Sequence, residues 1–128
     1  MDNFYLIHNC ETNKFRVYLN TSNADVMKKF NQINRDEKTV KKFVIVIEAV
    51  KVNVANKSQW NWESKCDLGE IYAIKVDNHR FYTLVCKNLG YRELYISRYG
   101  RKQTNSNDKK LIATINSISK ITIQKLLE

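Results

Sequence analysis

GEIYAIKVDNHRFYTLVCKNLGYRELYISRYGRKQT, from Gly69 to Thr104, is the stretch that decides how this chain is read. Three runs rich in β-branched and aromatic residues are divided by Asp77-Asn78 and by Asn88-Leu89-Gly90. Asn and Gly supply the positive φ angles that tight hairpins need, so the spacing predicts a three-stranded antiparallel meander. The same stretch gathers charge. Between His79 and Lys110 eight lysines and arginines stand against two acids, so six of the nine formal net positive charges fall there. Arginines interleaved with His79, Tyr91, Tyr95 and Tyr99 suit a polyanion.

Upstream, Asn3 to His8 and Lys14 to Leu19 read as strands joined through the polar turn Asn9 to Asn13. Ser22 is a candidate helix N-cap with Asp25 in the capping-box position, followed by Val26, Met27, Phe30 and Ile33 at helical spacing. Asp36-Glu37 open a second amphipathic segment through Val40, Phe43, Val44, Ile47, Val50 or Lys51, and Val54. Its β-branched run FVIVIEAVKVNV makes a strand the competitor; Lys41, Lys42, Glu48 and Lys51 on the other side favour the helix. The two would form an αα-hairpin across Asn34-Arg35. Asn56 to Asp67 is polar apart from Trp60 and Trp62 and reads as a loop.

Downstream, an amphipathic helix is expected from Asn107 or Asp108, burying Leu111, Ile115, Ile118 and Thr122. The tail SKITIQKLL fits that helix or a short strand. The expected fold is α+β: N-terminal strands, an αα-hairpin, a three-stranded antiparallel meander and a C-terminal helix. It forms a single domain over residues 1–128, with 1–13 an N-terminal extension strand and 14–120 the core.

At 128 residues and 43% hydrophobic the chain has material for one buried core. A net charge of +9 and a pI near 9.5 favour phosphate-rich partners, an anionic surface or an acidic protein. Cys10, Cys66 and Cys86 are odd in number and dispersed, which argues against a disulfide framework and structural zinc. They fit a reducing compartment, with Cys86 a strand residue of the core. His8 and His79 are too few for a metal set with these cysteines, so no metal and no cofactor are expected. Asp67 and Glu70 make no acid pair of the kind a glycosidase or two-metal nuclease uses. No apolar run approaches about 18 residues, and MDNFYLIHN lacks the core of a signal peptide. A cytoplasmic location without membrane attachment is expected.

The order of these elements resembles the RelE/ParE superfamily of bacterial toxins, in its HigB/RelE-like branch of type II toxin–antitoxin systems. KFRVYLNTSNADVMKKFNQI is similar to that family's first strand and helix, LGEIYAIKVDNHRFYTLV to its paired strands, and ELYISRYGRKQT to its last strand and basic terminus. The resemblance covers about Lys14 to Ile118. It implies a metal-independent mRNA endoribonuclease acting at the ribosome, taking no small-molecule substrate, and neutralised by an acidic antitoxin. Arg80 and Arg98 match the family's strand arginines, and Arg101 and Lys102 its basic pair.

Such chemistry must activate the 2′-hydroxyl, stabilise the phosphorane and protonate the leaving 5′-oxygen. Arg80 and Arg98 suit the phosphorane, because a guanidinium matches phosphate oxygens and stays charged. His79, Tyr99 and Lys102 are the acid–base candidates. Arg92, Arg101, Tyr91, Lys109 and Lys110 would track the nucleic acid, with tyrosines available for stacking. Trp60 and Trp62, two residues apart, would anchor a partner such as the antitoxin. Plainer roles stand beside these: a turn histidine, tryptophans packed over a sheet edge, and a solvated Lys109–Lys110 helix face. Three rival functions also stand. They are a ParE-like gyrase inhibitor, a non-catalytic basic nucleic-acid-binding accessory domain, and a degenerate toxin that keeps only its antitoxin.

Overall fold

The computed structural model describes residues 2–101 and 109–126. Two strands, β1 (Asp2–Cys10) and β2 (Phe15–Asn20), form a hairpin that turns through Lys14 at positive φ. Helices α1 (Ala24–Asn34) and α2 (Glu37–Lys51) follow as the expected αα-hairpin. Then come β3 (Trp60–Cys66), β4 (Gly69–Val76), β5 (His79–Asn88) and β6 (Tyr91–Arg101). The described chain ends with α3 (Lys109–Ser117), a single 3₁₀ turn and β7 (Ile123–Leu126). Among the described residues no helix is long and apolar enough to cross a membrane.

The meander is present, but the expected fold class is corrected. Among the described residues, all seven strands form one curled sheet in the order β3-β4-β5-β6-β2-β1-β7. The expectation fails at three places, each for a physical reason. The segment read as a loop contains β3, whose polar residues belong to a sheet-edge strand backed by β4. The ambiguous tail becomes β7, pairing parallel to β1 from Asp2↔Ile123 to Tyr5↔Leu126. Finally, β2 pairs parallel to β6, Phe15↔Arg92 through Leu19↔Ile96. That pairing fuses the N-terminal hairpin with the meander, so β1 is an integral strand of the sheet.

Alternation along the strands sorts side chains between two faces. Phe15, Val17 and Leu19 of β2, with Phe81, Leu94 and Ile96, pack against Val26, Phe43, Ile47 and Val50 of α1 and α2. Tyr18, Tyr82, Leu84 and Tyr95 face the other way, onto Ile115 and Ile118. Each fully buried side chain of this size contributes roughly 1.5–3 kcal/mol relative to exposure.

Local signals explain the helix starts. Asn23, one residue beyond the expected Ser22, caps α1 by accepting from the Val26 N–H at 3.0 Å. Ser22 Oγ instead accepts from the Asn3 amide. Asp36 caps α2, accepting from the Lys38 and Thr39 amides. The β5–β6 turn puts Leu89 (φ 52°) and Gly90 (φ 84°) both at positive φ, as a two-residue hairpin requires. Cys86 lies half-buried with its thiol pushed up to about 11, chiefly by burial, which leaves it unreactive near neutral pH.

Candidate functional site

The parallel β2–β6 pair places the site. β2 runs straight into α1 through Thr21, Ser22 and Asn23, so the first turns of α1 stand beside the end of β6. On the neighbouring strand, the Asp77-Asn78 turn starts β5 at His79, which faces Arg101 in register, while Phe81 faces Tyr99. His79 and Tyr99 are therefore diagonal neighbours, close enough for the Tyr99 hydroxyl to hydrogen-bond Nδ1 of His79. The Tyr99 ring rests edge-on against Phe81, 5.2 Å between centroids, and Lys29 Nζ of α1 lies 5.7 Å from its centre.

Two adjoining cavities open beside Tyr99; His79 lines neither and joins them through its hydrogen bond to the Tyr99 hydroxyl. One, of about 290 Å³, is lined by Asp25, Lys29, Tyr99, Arg101, Lys110 and Thr114, with Gly100 and Leu111. The other, of about 340 Å³, is lined by Asn23, Arg98, Ala113 and Ser117 and again by Asp25, Tyr99, Lys110 and Thr114. Shared walls make them two lobes of one cleft between α1, the end of β6 and α3. Gly100 sets the closeness of α3: a Cβ there would come within 2.3 Å of Leu111 Cδ2 and 3.1 Å of Tyr82.

The electrostatics are one-sided. Burial, then Arg101 and Lys29, lower the His79 pKa from its ordinary value, with Asp77 opposing and Arg80 assisting. The imidazole is therefore neutral near pH 7. Burial raises the Tyr99 phenol, with Arg101 opposing and Asp25 assisting. The phenol thus keeps its proton, and in the imidazole tautomer protonated on Nε2 it donates that proton to His79 Nδ1. The first turn of α3 carries Lys109 and Lys110 and no acid, cations set against the positive end of the helix dipole. An anion in the cleft would relieve both arrangements.

The structure brings His79, Tyr99, Arg101 and Lys110 together and separates the others. Arg80 donates to the backbone carbonyls of Asp77 (2.8 Å) and His79 (3.0 Å), and its field reaches the imidazole. Arg98 borders the second lobe but is tied to the Ser117 hydroxyl, the Ser97 carbonyl and the Asp2 carboxylate. Arg92 and Tyr91 sit at the far end of β6, about 23 and about 26 Å from Tyr99 at roughly 3.3 Å per residue. There Arg92 donates to the Val50 carbonyl and Asn53, closing the C-terminus of α2. Tyr91 donates to Glu11 beneath the Arg16 guanidinium. Lys109 is exposed beside Lys110. Trp60 stacks on Tyr72 at 4.5 Å, whereas Trp62 is half-exposed and donates to Glu70 at 2.5 Å. Lys102 lies outside the described residues.

Sequence reasoning passed over Lys29 and read Asp25 only as a capping-box residue; the two reach the cleft from α1 one helical turn apart. Their i, i+4 spacing was the available signal, but without the β2–β6 pairing it reads as an ordinary solvated helix face. It also passed over Glu93. That carboxylate is 1% exposed and is held by Tyr95 (2.6 Å), Tyr18 (3.3 Å), Lys125 (3.2 Å) and Arg16 (3.6 Å).

Compared with known proteins, the chain matches no family model, no curated protein and no solved structure. The cleft must speak for itself. Among the described residues no three His, Cys, Asp or Glu side chains gather as a metal-binding group.

Proposed function

We propose that the chain binds single-stranded RNA in this cleft and cuts it as an endoribonuclease, with Tyr99 and His79 moving the protons and needing no metal to do so. The observation that carries the proposal is the Tyr99–His79 hydrogen bond set among Lys29, Arg101 and Lys110. Such cations neutralise a phosphodiester and stabilise the extra charge of its phosphorane.

The steps balance within the pair. The 2′-hydroxyl attacks the adjacent phosphorus and passes its proton to the Tyr99 oxygen, while Tyr99 passes its own proton to His79 Nδ1. The imidazolium so formed releases the Nε2 proton to the leaving 5′-oxygen as the P–O5′ bond breaks, and proton exchange with solvent returns the remaining imidazole proton from Nδ1 to Nε2 before the next turnover. The products are a 2′,3′-cyclic phosphate and a 5′-hydroxyl. The raised phenol pKa keeps Tyr99 a relay rather than a standing phenolate, and the lowered imidazole pKa keeps Nδ1 open to receive.

The seven-stranded sheet withdraws the support that the RelE/ParE resemblance lent, so the cleft supplies the grounds for this reading. Cleavage of messenger RNA on the ribosome would make the chain a growth-arresting toxin, and its net charge of +9 would suit an acidic antitoxin. The experiment is incubation of a labelled single-stranded RNA with wild-type protein and with His79→Ala, in EDTA. Wild type should cut the RNA, and His79→Ala should leave it whole. Salt-dependent binding without cutting by wild type would replace this reading with a non-catalytic nucleic-acid-binding domain. Intact RNA together with inhibited gyrase supercoiling would favour the gyrase inhibitor.

A further inference from the structure

The cleavage chemistry uses only one lobe of the cleft. The other, of about 340 Å³, has a wall of mixed polar and apolar surface and contains a residue that works against phosphate affinity. Among the described residues Asp25 is the sole carboxylate lining either lobe, and it makes no ion pair with any of them. An acid in the first turn of α1 stabilises the helix by about 0.3–1 kcal/mol, which explains an acid there but not its place on the wall of a cationic cleft. It borders Tyr99, so whatever it binds lies next to the scissile phosphate. Asn23 is occupied in capping α1, and Arg98 in holding Asp2 and Ser117, whereas Asp25 offers a carboxylate to a ligand in this lobe.

Building on the RNA reading above, we infer that this lobe holds the nucleobase flanking the cleaved phosphodiester and that Asp25 selects guanine. Guanine alone presents two donors side by side on its Watson–Crick edge, N1–H and N2–H, matching the two oxygens of a carboxylate. Adenine and cytosine each set one amino donor beside an acceptor, and uracil flanks its N3–H with two carbonyls. In each of these three a carboxylate meets a repelling lone pair.

The test uses uncleavable 2′-O-methyl oligouridines carrying one central G, A, C or U, titrated by fluorescence anisotropy. The G oligomer should bind about 5- to 20-fold tighter than the others, in the range of a good bidentate base contact. Asp25→Asn should erase that ratio while keeping salt-dependent binding, and Asp25→Ser, which preserves a helix-start side chain, should do the same. Circular dichroism confirms that each variant is folded. Equal affinity for all four oligomers, or a guanine preference that survives both substitutions, overturns the inference and leaves the RNA reading standing. Failure of wild type to bind any oligomer overturns the RNA reading itself.

Discussion

The Tyr99 hydroxyl meets Nδ1 of His79 diagonally across the β5–β6 ladder, while the residue directly opposite His79 is Arg101. One strand pair thus delivers a proton relay and a permanent cation to the same spot. α1 adds Lys29 from above, and α3 adds Lys110 from the side.

The relay fixes the direction of the pH dependence. His79 must be neutral to accept, and its pKa lies below the ordinary 6.5 because of burial and its cationic neighbours. Cleavage should rise with pH through a midpoint below about 6.5 and level off by neutrality. Lys29→Ala removes one of those cations and should move the midpoint upward. A pH profile of kcat/KM, with the His79 ring titrated by NMR, checks both.

Salt tests the cleft's charge. If Lys29, Arg101 and Lys110 each neutralise one phosphate, log K against log salt should slope at about −2 for single-stranded RNA, from roughly 0.7 per contact. Each single substitution to alanine should flatten the slope by about 0.7. Anisotropy titrations at several salt concentrations measure it.

Arg92 belongs to stability. Its guanidinium closes the C-terminus of α2 through the Val50 carbonyl and Asn53, far from the cleft. Arg92→Ala should cost about 1.5–3 kcal/mol, the range for hydrogen bonds to a charged group. Urea unfolding reads the loss, and cleavage per folded molecule should stay within twofold of wild type.

Glu93 makes the fold sensitive to acid. Burial alone would raise its pKa, yet hydrogen bonds from Tyr95, Lys125 and Tyr18 prevail and hold it below the ordinary 4.5. A carboxyl that is more acidic in the folded state gives stability that is present above its unfolded pKa and lost as pH falls through the folded one. Urea midpoints should therefore drop below about pH 4.5. Glu93→Gln should remove much of that drop. It should also cost about 2–3 kcal/mol at neutral pH, less than the 3–5 of a fully buried pair because Arg16 and Lys125 stay partly exposed.

What was legible in the sequence was what local chemistry controls. The Leu89-Gly90 turn, the acidic start of α2 at Asp36-Glu37 and the helical spacing of Phe43, Ile47 and Val50 all announced themselves, because turn dihedrals and side-chain periodicity act over a few residues. Pairings across distance did not. Arg92 follows Phe15 by more than seventy positions, and nothing in KFRVYL says that it lies parallel to YRELYI. β3 escaped because an edge strand with one wet side can be polar, and its Trp60 and Trp62 look like a decorated loop. The same limit governed the cleft. His79 and Tyr99 stood out as separate acid–base candidates, but their pairing needed the β5–β6 register, and Lys29 needed α1 placed beside β6. Arg98 looked poised for phosphate only until Asp2, nearly a hundred residues away, came to hold it.

The most direct test is the chemistry of the RNA ends. Wild type and Tyr99→Phe are incubated with a labelled single-stranded RNA in EDTA, and the fragments are resolved by mass spectrometry. The relay predicts 2′,3′-cyclic phosphate and 5′-hydroxyl ends with wild type. It also predicts a rate about 10²–10⁴ lower with Tyr99→Phe at similar RNA affinity. Fragments ending in 3′-hydroxyl and 5′-phosphate, or cutting unchanged by Tyr99→Phe, would contradict it.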